Sequence, residues 1–285
     1  MHGCPTVQSC ARHPVAAARQ ESFVTQWKDV FRPFATESVA LRQQIHQRPE
    51  LGFQEHETAR LVADRLRAWG YDVTEGVGST GVVGVLKVGD GTRSIGIRAD
   101  MDALPIHEKT DLPYQSVHAG VMHACGHDGH TAMLLGAAHY LATTRNFSGT
   151  LNVIFQPAEE GLAGARRMID DGLFTRFPCD AVYGMHNIPG MPQGKLVFAE
   201  GPLLASNDRL TITVNGKSAH GAEPQNGADT VVAAAAIVMA LQTVVSRNVD
   251  PQSSAVVTVA SLHAGKANNV IADQAVMQVT VRTHD

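Results

Sequence analysis

The chain has 285 residues, enough for two domains that each bury a core of their own, and its 44% apolar and 18% charged residues read as a soluble globular protein. Its 23 basic and 27 acidic residues leave a net charge of -4, which gives no electrostatic ground for nucleic acid or an anionic membrane as partner and points to small molecules instead. Cysteines at 4, 10, 125 and 179 are too few and too scattered for a disulfide framework, which favours a reducing compartment.

Residues 1–35 stand apart. Arg12 and Arg19 flank a short VAAA patch, and no apolar core is long enough for a secretory signal, so the segment reads as a leader or a disordered N-terminus and a cytoplasmic location is expected. From Glu37 to Ala68 apolar residues recur at helical spacing (Val39, Leu41, Ile45, then Leu61, Val62, Leu66). Pro49 and Gly52 interrupt them, which predicts two helices flanking a turn. Short β-branched runs follow at 80–88, 93–100, 149–156 and 179–186, with helical segments at 129–144 and 161–170. Strands alternating with helices predict an α/β domain over residues 36–203, with a mixed, largely parallel sheet and helices on both faces.

After the Gly- and Pro-rich stretch 189–202 the pattern changes. RLTITVNG alternates as a strand, GADTVVAAAAIVMALQTVVSR reads as a long helix, and SSAVVTVASLHAG and QAVMQVTVRTHD read as strands. The longest apolar run, 231–241, is well short of the ~20 residues of a membrane span and predicts a buried or interface helix. The β-α-β-β order of residues 204–285 is most of a split βαβ, ferredoxin-like domain, which needs a further helix and strand.

The polar residues that carry chemistry fall at the ends of the predicted strands: RADMD after SIGI, PAEE after LNVIFQ, HN after AVYGM. In open α/β sheets the reactive crevice lies beyond the carboxyl ends of the strands, so separate segments deliver these groups to one place. Cys125 and His127, in MHACGHDGH, are a thiol and an imidazole two residues apart. In an extended loop such side chains point the same way, and they can chelate one metal or sit astride two. A bland reading makes Cys125 a buried small residue ahead of a helix cap. His118, His123 and His130 lie close by, mostly as supporting or surface groups, and His130, on the following helix, can orient a ligand but is not assigned as one. Glu159 and Glu160 follow a strand with side chains that diverge, so that one can bind metal while the other takes a proton from water. Asp100 and Asp102 are either turn acids or carboxylates that orient a metal-bound His. His186 closes an apolar strand, where a lone His is usually a satisfied core residue. His220, in GKSAHGAEP, sits in a Gly-rich loop, and NNVI at 268–271 says little by itself.

In this order and spacing, RADMDALP, MHACGHDGH, FQPAEEG, GMHN, GKSAHGA and NNVI make the chain resemble the M20 metallopeptidase superfamily. The likeness is greatest to the branch containing hippurate hydrolase, N-acyl-amino-acid amidohydrolases and plant indole-acetyl-amino-acid hydrolases, and it runs from about residue 36 to the end. The resemblance implies a catalytic domain interrupted by a lid that also forms a homodimer, and two divalent metal ions, usually Zn, Mn, Ni or Co. Carried over, it makes Cys125 the bridging ligand, His127, Glu160 and His186 further metal ligands, Glu159 the general base and Asp102 the orienting acid. His220, from the partner's lid, would stabilise the oxyanion, and Asn269 would hold the substrate or the same charge. The implied reaction is hydrolysis of the amide bond of an N-acyl or N-aroyl amino acid to a carboxylic acid and an amino acid.

Better-known peptidase branches carry a His at the position of Asp100 and an Asp at that of Cys125, so the Cys-type site implies an amidohydrolase over a general dipeptidase. The resemblance also implies a catalytic domain that resumes after the lid and supplies a last His ligand. Both domains are therefore expected to be incomplete at Asp285. A non-catalytic remnant that keeps metal or acyl-amino-acid affinity is the competing expectation. A two-metal phosphoesterase is disfavoured, because no phosphate-cradling Gly loop or Arg pair accompanies the ligands.

Overall fold

The computed structural model describes residues 14–198 and 200–284, and these divide into two compact units that part between Gly190 and Met191. This division comes earlier than the 203/204 boundary expected from the sequence. Helix α1 runs Pro14–Gln47, so the described part of the N-terminal stretch set apart at 1–35 is helical, and residues 1–13 lie outside the described residues. After a turn through Leu51, α2 spans His56–Ala68, as the periodicity predicts. Strands β1 (Asp72–Val77), β2 (Gly81–Val88) and β3 (Ser94–Asp100) follow, then α3 (His127–Thr144), β4 (Gly149–Gln156), the short α4 (Gly164–Asp170) and α5 (Leu173–Arg176), and β5 (Ala181–Gly184).

The five strands form one sheet in the order β1-β2-β4-β3-β5. β3 pairs in parallel with β4 and β5, whereas β1 with β2 and β2 with β4 are antiparallel, so the sheet is mixed, with β2 alone running against the other four strands. Strand β1 escapes the sequence reading because DVTEGV has only two apolar side chains, both Val, as an exposed edge strand can.

Alternation along β2 and β4 divides the core. Val82, Leu86, Leu151, Val153 and Phe155 meet Val62, Leu66, Leu134, Leu135 and Ala138 of α2 and α3 on one face. Val83 and Ile154 meet Met168, Leu173 and Phe177, from α4, α5 and the residue after them, on the other. Helices therefore cover both faces, and each large side chain buried this way contributes roughly 1.5–3 kcal/mol. Because β3, β4 and β5 run in the same direction, their carboxyl ends open on one rim of the sheet.

The second unit contains β6 (Asp208–Asn215), the two-residue β7 (Ala219–His220), α6 (Thr230–Thr243, continuing as a π turn to Asn248), β8 (Ala255–Ala264), the two-residue β9 (Val270–Ile271) and β10 (Gln274–Thr283). β6, β10 and β8 make an antiparallel sheet in that order, and β7 pairs with β9. Asp229 caps α6 by accepting from the backbone N–H groups of Val231 and Val232. Ala234, Ile237, Val238 and Leu241 of α6 lie on Ala275, Met277 and Val279 of the central strand. With the π turn the helical span reaches 19 residues, Thr230–Asn248, and is long and apolar enough to cross a membrane by length and composition, which the run 231–241 alone is not. Core helices meet the same test.

Candidate metal centre

The rim at the ends of β3, β4 and β5 gathers the polar segments. Asp100 ends β3 and Asp102 lies two residues beyond it. Glu159 and Glu160 occupy the turn after β4, and His186 follows β5. Cys125 and His127 come from the segment leading into α3, and they do not sit on an extended loop: Gly126, with φ +86°, turns the chain so that His127 is the first residue of α3. Even so, the ligand atoms of Cys125, His127 and His186 lie within 4.8 Å of one another, as do those of His127, Glu159 and Glu160.

Hydrogen bonding sets the direction of each imidazole. His127 is fully buried, and its Nδ1 lies 2.9 Å from the main-chain oxygen of Asp102 and 3.2 Å from Asp102 Oδ1. Both partners only accept, so the ring hydrogen is on Nδ1 and the Nε2 lone pair is free. That Nε2 has no hydrogen-bond partner among the described residues and lies 3.6 Å from Asp100 Oδ2, 4.0 Å from Glu159 Oε2 and 4.0 Å from Glu160 Oε1. The two glutamates thus converge on His127, where the sequence suggested that they diverge. His186 repeats the arrangement: Nδ1–H donates to the main-chain oxygen of Asn187 at 2.7 Å, and Nε2 faces Cys125 Sγ at 3.5 Å. Asp102 uses its second oxygen, Oδ2, to accept the backbone N–H of Glu160 at 2.9 Å, so one carboxylate holds both the His127 ring and the Glu160 main chain.

The electrostatics are those of a site built for a cation. Burial, together with Glu160, Glu159 and Asp100, pushes the Cys125 thiol up to about 12. Burial and the charge of Glu160 raise Glu159. Burial works against ionisation of Asp102, but the His127 hydrogen bond and the backbone N–H groups of Glu160 and Glu159 outweigh it and lower its pKa. For Asp100 burial is likewise overcome, by the His130 hydrogen bond and the Arg98 charge, and the pKa falls to about 2. A divalent cation reverses the field felt by the thiol and takes it as thiolate. An orphaned buried Nε2 shared by two groups of donors, one adding a second imidazole and a thiol and the other two carboxylates, fits zinc-like metals in donor type and number.

His220 and Asn269 belong to the second unit. Gly221 N–H donates to Asn269 O at 2.8 Å and His220 pairs with Val270, which places the two beside one another.

Arg98 and Glu55, also at the centre, are absent from the sequence reading. Arg98 ion-pairs with Asp100 Oδ2 at 2.8 Å and its Nε–H donates to Gln156 at 2.9 Å; an arginine two residues before Asp100, on the same face of an apolar strand, was the available signal. Glu55, fully buried, accepts the Ala158 N–H at 2.8 Å and so fixes the start of the turn that carries Glu159. His123, expected as a supporting or surface group, is buried; neither ring nitrogen has a hydrogen-bond partner among the described residues, and burial takes its pKa down to about 4.

A family model described as Peptidase family M20/M25/M40 matches residues 96–280. Hippurate hydrolase of Campylobacter jejuni is 54% identical over 245 residues, covering 86% of this chain and 64% of that protein. N-acetyl-L-cysteine deacetylase of Bacillus subtilis is 44% identical over 248 residues, covering 87% of this chain and 59% of that protein. The crystal structure of the Bacillus subtilis YxeP protein, a dinuclear metal binding peptidase from the M20 family, superposes with a TM-score of 0.73 at 40% identity, over 89% of this chain and 65% of that one. The chain thus spans less than two thirds of the length of these curated relatives.

Proposed function

The chain belongs to peptidase family M20/M25/M40, and from that premise we propose that it hydrolyses the amide bond of N-acyl or N-aroyl amino acids, hippurate-like compounds among them, with divalent metal. The observation that carries the proposal is the pair of imidazoles whose Nδ1–H groups are engaged elsewhere, so that both Nε2 lone pairs point at the space shared by Cys125 and the two glutamates.

Cys125, His127, Glu160 and His186 would hold two divalent ions (Zn, Mn, Ni or Co). When bound, such ions supply Lewis-acid polarisation of the amide carbonyl and make water acidic near neutrality. Asp102 keeps His127 in the tautomer a ligand needs. Glu159, more open than Glu160 (side chains 42% and 27% exposed), takes the proton of the attacking water and delivers it to the leaving amine. His220 would stabilise the oxyanion and Asn269 would hold the substrate or the same charge, His220 coming from the partner of a homodimer formed through the second unit as its lid. Val231, Val232 and Met239, exposed apolar residues of α6, support that interface. A cytoplasmic location and a small-molecule substrate complete the proposal, which invokes no nucleic acid and no membrane.

The test is incubation of the purified chain with hippurate and with an N-acetyl amino acid, with and without a chelator. Release of free amino acid that stops on chelation and returns with added metal is the expected result; cleavage indifferent to chelator would refute it. Since the relatives are longer, a second reading is binding of metal or acyl amino acid without turnover. Metal titration alongside the turnover assay separates the two.

A further inference from the structure

His130 lies in the first turn of α3 at 3% exposure, and no step of the proposed function uses it. Its ring nitrogens join two other elements. Nδ1 is 2.6 Å from Asp100 Oδ1 at the end of β3, and Nε2 accepts the backbone N–H of Asn187, just beyond β5, at 3.1 Å. A backbone N–H only donates, so the lone pair is on Nε2 and the ring hydrogen on Nδ1 is given to Asp100. Arg98 holds the other oxygen of that carboxylate at 2.8 Å. His130, Asp100 and His127 have ligand atoms within 4.8 Å of one another, as a metal site would. With both ring nitrogens of His130 engaged, however, it has no lone pair left for a metal.

Asn187 is the point of leverage. Its N–H is held by His130, and its carbonyl receives the Nδ1–H of His186 at 2.7 Å. The rings of His130 and His186 meet edge to face, 4.7 Å between centroids. The direction of His186 Nε2 toward Cys125 is therefore set by a residue that His130 fastens to the core.

We propose that His130 is a positioning residue: by clamping Asn187 to Asp100 it fixes the direction in which His186 presents its Nε2 to the metal site. The inference rests on the metal-site reading above, so its readouts do not depend on turnover. The probe is cobalt(II), titrated into the chain and its His130→Ala and His130→Gln variants while the cobalt–thiolate absorption is followed, with a melting curve for each. His130→Ala is expected to weaken cobalt binding by roughly 10–100-fold and to shift the band. His130→Gln, whose amide oxygen can accept the Asn187 N–H, is expected to recover much of the loss. Alanine binding like the parent, or glutamine binding as weakly as alanine, overturns the proposal. Should His130→Ala not fold, 15N NMR of the histidine rings in the unaltered chain decides: the Nδ1–H form is expected, and the Nε2–H form is incompatible with the clamp. An unaltered chain that shows no cobalt–thiolate band would instead overturn the metal-site reading, while the NMR tautomer still reads the clamp separately.

Discussion

Cys125 Sγ lies 3.5 Å from His186 Nε2, although the two are 61 positions apart in the chain. With its pKa pushed up to about 12 by burial and the surrounding carboxylates, the thiol is protonated at neutral pH. A metal ligand must be the thiolate, so metal binding has to expel that proton. Calorimetric zinc titration in buffers of different ionisation enthalpy should show release of about one proton per Cys125 engaged. In Cys125→Asp, which removes the thiol, that release should fall by about one proton while binding survives. Equal proton release from both proteins would mean that Cys125 does not bind the metal.

Glu159 and Glu160 approach the same His127 nitrogen, but Glu160 is the less exposed of the two (27% against 42%) and its N–H is held by Asp102 at 2.9 Å. A fixed carboxylate suits a ligand, and a more open one with raised proton affinity suits a base. Glu159→Gln should therefore lower kcat by roughly 10²–10⁴-fold and leave metal affinity nearly unchanged. Glu160→Gln should lose metal affinity first. Steady-state kinetics combined with metal analysis checks both, and a reversed pattern would exchange the two roles.

Much of this centre is legible in the sequence because it lies at strand ends, and strands β2 to β4 announce themselves as apolar β-branched runs. The turn positions are less legible. That Gly126 starts α3 at His127 depends on one left-handed residue, and the approach of Glu159 to Glu160 depends on Ala158, which has φ +50° and is held by Glu55 from a distant loop. The partners of His130 are illegible for the same reason: Asp100 and Asn187 stand 30 and 57 positions away, and only the parallel pairing of β3 with β5 brings them together. Periodicity gives the elements; the long-range hydrogen bonds that select each tautomer leave no local pattern.

Gly126 offers a test of that turn. At φ +86° an L-residue is strained, and a Cβ there would lie 2.7 Å from Asn187 Oδ1, the residue that holds His186. Gly120 is a matched control, with φ +79° and nothing within 4 Å of its Cβ position. Gly120→Ala should cost only the backbone term, about 1–2 kcal/mol. Gly126→Ala should cost more and should also weaken metal binding. Chemical denaturation and cobalt titration of both variants measure this, and equal effects would show that Asn187 gives way without consequence for His186.

A second buried network ties α1 to the start of α3 and makes the stability of the unit depend on pH. His46 Nδ1 lies 2.9 Å from Asp128 Oδ2 and its Nε2 3.1 Å from Glu108 Oε1, while Arg42 Nε–H donates to the same Asp128 oxygen at 3.0 Å. The Asp128 hydrogen bond, against burial and with help from Glu108, raises the His46 pKa above 6.5. The folded protein therefore holds this proton more tightly than the unfolded chain, so the contribution of His46 is fully present below about pH 6.5 and fades as pH rises through its folded pKa. Asp128 and Glu108 act in the opposite sense. Burial opposes their ionisation, but for Asp128 the His46 hydrogen bond and for Glu108 the Ser116 N–H lead the groups that lower their pKa values, so their contribution is lost as pH falls through the acid range. His46→Gln, measured by denaturant unfolding, should be less stable than the parent near pH 6, and the gap should narrow toward about pH 9 as the parent loses its charged imidazole. A gap that stays constant across that range would place the pH dependence on other groups and leave His46 as a neutral spacer.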